Sequence, residues 1–389
     1  MVAKNFKKIS IIDHTGVKAG LAKYSTSLAE SLSKLDYDVD VFSNFSTSEE
    51  SNVKYFKYFE AEKSGVIRRF LLRIYGYLRS ALKSGKHTEY IFIHLFELTL
   101  ISFLQHLICY LFGHGRIITI YHDIDSFGKT DVKSYAKLIL KKMSRYIIVH
   151  NEFSKKELIR LFPYVEPGKV IIMKHGHYKD HTFDVESAPE GIVDAQAMRE
   201  SGCRVLLFFG QIKEEKGLDI LVKAMSDLPD NVHLIIAGNP VIDFRPYEQM
   251  IQNLNLDKQI TKYLRFIEDD EMNYLIRQVD IVVLPYKKIY QSGVLLNVMS
   301  QNSLVMASDL EPNKDIIEDG VNGFLFKSES VDDLINKATK ILSFDEQLLN
   351  EIRENAFNTV TDHYDWDQII ASLIQNLKIR NYDTTQRTS

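Results

Sequence analysis

Short, nearly continuous apolar runs alternate with longer amphipathic stretches along most of the chain. "KISIID" (8–13) is followed by "GLAKYSTSLAESLSKL" and then by "DVDVFS" (38–43). "YIFIHL", "RIITIYHD" and "RYIIVHN" repeat the pattern, each separated from the next by a helical stretch. Strands that are apolar on both faces and joined by helices predict parallel sheets covered on both sides. The rhythm pauses over a polar stretch, residues 179–202, which reads as a connection between domains. It restarts with "RVLLFFG", "GLDILVKAM", "NVHLIIAGNP", a strand and turn over "LRFIEDD", and then "VDIVVLPY", "SGVLLNVMS", "LVMASD" and "GFLF". The expectation is an α/β chain of two doubly wound, Rossmann-like halves, 1–180 and 181–364, followed by a helix over about 365–389. In such sheets, ligands sit beyond the carboxyl ends of the strands.

The longest apolar segment, Ile91 to Phe112, is interrupted by His94, Glu97, Gln105 and His106. Charged groups at bilayer depth are costly, so it reads as a buried strand followed by a buried helix. The amino-terminal stretch lacks the apolar region of a signal peptide. A chain of 389 residues suits two domains. A net charge of −4 gives no whole-chain reason to expect nucleic acid. Cys109 and Cys203 lie far apart without metal-ligand spacing, which suggests a reducing compartment.

Two loops of the later half carry candidate chemistry. In "FFGQIKEEKGLDILVKAM", Gly210 ends a strand, Gly217 precedes a helix, and Lys213 and Lys216 stand between. Glycine admits close approach, and ammonium groups near a helix start suit an anion. A solvated turn is the plainer meaning, since Glu214 and Glu215 are also there. Ser292-Gly293-Val294 opens a helix after the strand that ends at Pro285. Its backbone N–H groups suit a phosphate; an ordinary cap by Ser292 is the commoner meaning. Together the loops would open at one sheet edge and clamp a diphosphate from two sides.

In the first half, residues 63–86 contain no acidic residue. At about 100° per residue, Ile67, Phe70, Leu71, Ile74, Leu78 and Leu82 share one face, and Arg68, Arg69, Arg73, Arg79 and Lys83 lie mostly on the other. Packing on the first domain would explain the apolar face. The local basic block favours docking on an anionic membrane. "HDID" (122–125) suggests a metal reading, but lysines and a helix dipole make a cation unnecessary, and none is expected. His175 and His177 in "KHGHY" are either cleft-lining or plain loop residues.

Taken in order, "FFGQIKEEKGLDILVKAM", "LIIAGNP", "DIVVLPY", "SGVLLNVMSQNSLVMASD" and "IIEDGVNGFLF" resemble the nucleotide-sugar half of a GT-B glycosyltransferase, with family 4 the best match. The first half matches more weakly, through "HTGVKAGLAKYSTSLAESL", "TIYHD" and "IIVHNEFSKKEL". The resemblance implies two Rossmann-like domains facing across a cleft, with the last helix crossing back to the first, acceptor-side domain and Trp366 as a packing residue. It implies that Lys216 and Lys213 hold the donor diphosphate, with Gly210, Gly238 and the backbone of Ser292, Gly293 and Val294. It places His122 near the anomeric carbon, with Asp123 beside it as the other catalytic candidate and a structural strand-end pair as the alternative, and it places the Gly16–Gly20 loop opposite the donor. Many relatives have Arg after the first glycine, where this chain has Gln211. The family's usual two glutamates fall on Ile289 and Asn297. Asn297 keeps hydrogen-bonding capacity toward a ribose; Ile289 cannot replace a carboxylate.

The expected function is transfer of a sugar from a UDP- or GDP-sugar to a saccharide or lipid-linked acceptor in bacterial surface polysaccharide or glycolipid synthesis. Retention of configuration is implied by the family. No cofactor, metal or nucleic acid is expected. The expected place is the cytoplasm, beside the inner face of the membrane. A GT-B partner that lost activity and a GT-B sugar-nucleotide epimerase are the alternatives. A dehydrogenase is disfavoured, because "IIDHTGVKAG" lacks the Gly-x-Gly-x-x-Gly fingerprint.

Overall fold

The computed structural model describes residues 7–16, 21–47, 52–59, 65–113, 116–125, 133–185 and 187–388. The chain divides into two units: 1–176 with 365–389, and 177–364. In the first unit, β1 (Lys7–Ile12), α1 (Leu21–Lys34), β2 (Tyr37–Ser43), β3 (Val53–Lys57), α2 (Val66–Ser84), β4 (Thr88–Leu95), α3 (Leu100–Phe112), β5 (Ile117–Tyr121), α4 (Lys133–Ala136), β6 (Ser144–Val149), α5 (Glu152–Leu161) and β7 (Val170–Ile172) follow in order. The strands form a parallel sheet, β3-β2-β1-β4-β5-β6-β7. The order reverses between β1 and β4, and a doubly wound sheet opens its ligand crevice at such a switch.

The second unit runs α6 (Ala195–Glu200), β8 (Arg204–Phe209), α7 (Leu218–Met225), β9 (Val232–Ala237), α8 (Arg245–Asn253), β10 (Ile260–Tyr263), α9 (Asp269–Gln278), β11 (Ile281–Leu284), α10 (Gly293–Ser300), β12 (Val305–Ser308), α11 (Glu311–Lys314), β13 (Phe324–Phe326), α12 (Val331–Leu342) and α13 (Glu346–His363). Its parallel sheet, β10-β9-β8-β11-β12-β13, reverses between β8 and β11. Val205, Leu207 and Val282 face one side of this sheet and Leu206, Phe208 and Val283 the other; all are buried. That two-sided burial explains the unbroken apolar runs. The last helix, α14 (Trp366–Thr388), packs on α1 within the first unit, where Lys34 and Ser31 hold Asp367.

Four expectations need correction. The polar stretch 179–202 is not a bare connection: α6 lies in it, and Ile192 and Ala195 are buried in the second core. "LRFIEDD" is not a strand, because β10 ends at Tyr263, Leu264 and Phe266 are exposed, and Glu268 caps α9. Helix α3 is not buried all round. Its inner face is Ser102, Gln105, His106 and Cys109, whereas Leu100, Tyr110, Leu111 and Phe112 are exposed. The polar inner face is sustained by His106, whose Nδ1–H donates to the Ser102 carbonyl (2.7 Å) and whose Nε2 accepts from the Thr119 hydroxyl (3.1 Å). In α2 the buried contact with the domain is made by Gly76, Tyr77, Ser80, Ala81 and Ser84, with Ile74 of the apolar stripe packed against the same core, so only part of that stripe faces outward. Ile67, Leu71 and Leu82 are 78%, 60% and 58% exposed.

Candidate functional site

The carboxyl ends of β8 and β11 lie side by side at the switch point of the second sheet. Gly210 follows β8 with φ +116°, a conformation that side chains rarely adopt. Gly238, at the end of β9, is pressed against it: a Cβ there would stand 1.8 Å from the Gly210 carbonyl oxygen. The β8 loop then reaches the β11 loop. A Cβ on Gly217 (φ +65°) would stand 1.8 Å from the Pro285 oxygen, and Val294 lies against Gly210. Lys216 Nζ sits 3.7 Å from the centroid of the Tyr286 ring. Lys287 closes the corner, its ammonium 2.8 Å from Asp219 and its backbone N–H donating to the Glu215 carbonyl at 2.8 Å. Lys213 is half-buried at the start of the short turn over Glu214–Lys216.

Ser292 caps α10, its hydroxyl accepting from the Leu295 N–H at 3.1 Å. The N–H groups of Gly293 and Val294 have no acceptor among the described residues. They belong to the helix turn that always leaves donors over. A Cβ on residue 293 would stand 2.9 Å from the Tyr178 hydroxyl, so a side chain there would have to push the end of Tyr178 aside. The result is a concave corner with small residues, two backbone donors and two ammonium groups, which suits a diphosphate.

In the first unit, the carboxyl ends of β1, β4, β5 and β6 bring Asp13, His94, His122 and His150 together. Ser25 Oγ is 2.7 Å from Asp13 Oδ2 and 3.2 Å from His94 Nε2. His94 Nδ1 is 2.9 Å from His122 Nε2, and His122 Nδ1 is 3.3 Å from His150 Nε2. Both ring nitrogens of His122 are therefore engaged within the domain, and Phe96 stacks on its face at 4.5 Å. Tyr24 sits edge-on to His94, His122, His150 and His175. Burial holds these imidazoles neutral, pushing His94 and His175 down to about 3 and His150 to about 4. It also takes His122 well below the ordinary range. Asp123 is half-buried beside His122. Gly16 turns at φ +54° after β1, its N–H donating to Asp13 Oδ1 at 2.7 Å; Gly20 lies outside the described residues.

A family model described as "Glycosyl transferases group 1" matches residues 194–359, the region that holds both second-unit loops. That match identifies residues 194–359 as similar to the group 1 glycosyl transferases. An uncharacterized glycosyltransferase of Methanocaldococcus jannaschii is 28% identical over 184 residues, 45% of this chain and 45% of that one. A GDP-mannose:glycolipid 4-beta-D-mannosyltransferase of Xanthomonas campestris pv. campestris is 30% identical over 170 residues, 42% of this chain and 44% of its own length. The chain thus matches under half the length of these curated relatives. Over nearly the full chain, the crystal structure of Anabaena HepE with UDP and glucose superposes with a TM-score of 0.73 at 17% identity, covering 96% of this chain and 99% of that one. The fold of the chain is GT-B.

Within the matched region, just before α10 and on it, the two positions where the glutamates were expected are both turned inward. Ile289 is buried. Asn297 is buried on α10, its amide 3.2 Å from the Met272 sulfur and its oxygen accepting from Gln301 at 3.2 Å. His175 lies in the first unit against Trp366, which is itself buried and edge-on to Tyr24 at 4.8 Å. His177 lies in the second, its N–H donating to the Tyr364 carbonyl. Sequence reasoning singled out His122 without seeing the line of histidines around it. A signal existed: His94, His122 and His150 recur at intervals of 28 residues, each at a strand end. Among the described residues, no three His, Cys, Asp or Glu side chains are placed to hold a metal ion.

Proposed function

We propose that the protein transfers a sugar from a UDP- or GDP-sugar to a saccharide or lipid-linked saccharide acceptor. The observation that carries this reading is the corner formed by the Gly210–Gly217 loop and the start of α10. Lys216, Lys213 and the Gly293 and Val294 N–H groups would stabilise charge on the departing diphosphate without further reorganisation. Similar proteins support the donor class, since one is a GDP-mannose-dependent transferase and one structure holds UDP with glucose. His122 and Asp123 would stand on the sugar side, and Gly238 would keep the floor of the corner flat. Retention of configuration is the family's expectation, and the anomeric signals of the product decide it.

The same reading places the acceptor at a membrane. Helices α2 and α3 pack together and expose Ile67, Leu71, Tyr75, Leu82, Leu100, Leu111 and Phe112 beside Arg68, Arg79 and Lys83. An outward apolar surface ringed by cations suits an anionic lipid headgroup layer. No helix of the described residues is long and apolar enough to cross a membrane. We place the working site at the inner face of the cytoplasmic membrane, in surface polysaccharide or glycolipid synthesis.

Thermal-shift titration with UDP, GDP and their sugars, followed by turnover with lipid-linked saccharides, tests the reading. Stabilisation by a diphosphate with transfer supports it. Binding without transfer over a broad acceptor pool favours the partner that lost activity, a reading to which the buried Ile289 lends weight. Donor conversion without acceptor reveals an epimerase. No stabilisation by any nucleotide removes the proposal.

A further inference from the structure

The polar line at the first sheet's carboxyl edge has a proton count that does not balance. It runs from the Asp13 carboxyl through Ser25, His94, His122 and His150 to the Met173 carbonyl, which lies 2.9 Å from His150 Nδ1. These are five contacts between two ends that, with Asp13 ionised, only accept. One hydroxyl and three neutral imidazoles bring four protons. With Asp13 ionised, Ser25 donates to it, while Met173 requires an N–H on His150 Nδ1. The two polarities then meet lone pair to lone pair somewhere between, and the longest contact, 3.3 Å between His122 and His150, is where they would collide. A proton on Asp13 Oδ2 removes the collision. Asp13 then donates to Ser25, Ser25 to His94 Nε2, and each imidazole passes its Nδ1–H to the next acceptor.

We propose that Asp13 is a protonated positioning residue: through Ser25 and His94 it fixes the His122 ring as its Nδ1–H tautomer, and the first unit folds around one more proton than an ionised aspartate would allow. The inference stands on first-unit geometry and does not depend on sugar transfer. Burial favours the neutral carboxyl and is the largest influence on it, outweighing the Thr15 and Gly16 N–H groups and the Ser25 hydroxyl that favour the anion. Burial also disfavours an imidazolium at His94, His122 or His150, so the extra proton belongs on the carboxyl. The other titratable groups facing the line are His14 and, from α2, Tyr77 and Arg73, and His175 beyond His150; Tyr24 covers it from α1 and Trp366 from α14.

Asp13→Asn is the direct test, because Asn keeps the acceptor for Thr15 and Gly16 and offers an N–H to Ser25 without titrating. The folded-state value of Asp13 lies above the unfolded value of 3.8, so its contribution is complete below 3.8 and is lost as pH rises through the folded value. Across that window the folding constant of the wild type, divided by that of Asp13→Asn, should fall about tenfold per pH unit. Parallel stability profiles for the two proteins would overturn the proposal. A second measurement on the wild type stands beside it: ¹⁵N ring spectra, assigned with single-histidine replacements. At pH 7, His94, His122 and His150 should all be neutral Nδ1–H tautomers. An Nε2–H tautomer or an imidazolium at any of the three overturns it.

Discussion

The ammonium of Lys216 rests 3.7 Å above the ring of Tyr286, so the β8 loop and the β11 loop of the second unit share a cation and its aromatic support. Tyr286 is fully buried and fixes the height at which the charge is presented. Removing the ammonium should therefore affect a bound diphosphate far more than the fold. For Lys216→Ala we expect a loss of about 1.5–3 kcal/mol of diphosphate binding, the scale of one charge-assisted hydrogen bond. That corresponds to a weakening of roughly ten- to hundredfold, while the unliganded protein should lose only about 0.5–1 kcal/mol with the cation–π contact. Titration calorimetry with UDP and GDP reads the first quantity and chemical denaturation the second. An unaltered nucleotide affinity removes Lys216 from the site.

The floor of the same corner depends on two glycines in contact. Gly238→Ala would put a methyl group 1.8 Å from the Gly210 oxygen, and the Gly210 backbone, held by its own N–H to the Ala237 carbonyl at 3.0 Å, has little room to yield. The expected cost is about 1–3 kcal/mol of stability, the range of overpacked cores. Nucleotide affinity should fall with it, because the shift carries the β8 loop away from α10. A variant as stable as the wild type would mean that the loop tolerates the displacement.

The architecture was legible in the sequence because both sheets are buried on two sides, and that burial writes unbroken apolar runs such as "RVLLFFG" and "DIVVLPY". The meeting of the Gly210 and Ser292 loops was legible for a related reason: both follow strands of one parallel sheet, so their carboxyl ends share an edge. The histidine line was not, since Ser25, His94, His122 and His150 meet only through strand register, and the sequence states no register. The outward apolar stripe of α2 was half legible. Periodicity defines a face but not its neighbour, and here Tyr77 with the small residues Gly76, Ser80 and Ala81 makes most of the packing. Helix α6 escaped because its stretch is polar; Ala195 is its one buried residue.

The α2 surface makes its own prediction. Charge reversal at exposed Arg68, Arg79 and Lys83 should weaken association with phosphatidylglycerol vesicles about a hundredfold, at roughly 1 kcal/mol per cation near the surface. Leu71→Asn with Leu82→Asn should weaken it independently of salt, because those side chains act by burial and not by charge. Co-sedimentation at low and high ionic strength separates the two contributions. Binding that survives both sets of changes would show that α2 does not meet the lipid.

The buried histidines make the first unit sensitive to acid. Burial pushes His14, His106 and His150 to about 4, and His94 and His175 to about 3, while an unfolded histidine titrates near 6.5. The unfolded chain thus binds protons that the folded unit refuses, so stability is complete above pH 6.5 and is lost as pH falls toward 4. Each of these groups changes the folding constant by about tenfold per pH unit within that window, and their slopes add where they overlap. The Asp13 contribution has the opposite sign and is smaller than the sum of five. Trp366 is the chain's one tryptophan and is buried in this unit against Tyr24 and His175, so its emission reports on this core. A steep, cooperative change in Trp366 emission is expected between pH 6 and 4, moving to lower pH in His94→Gln, provided that variant folds at pH 7. Emission that holds steady down to pH 3 would show that the imidazoles accept protons within the folded core, and that the burial argument for their neutrality is wrong.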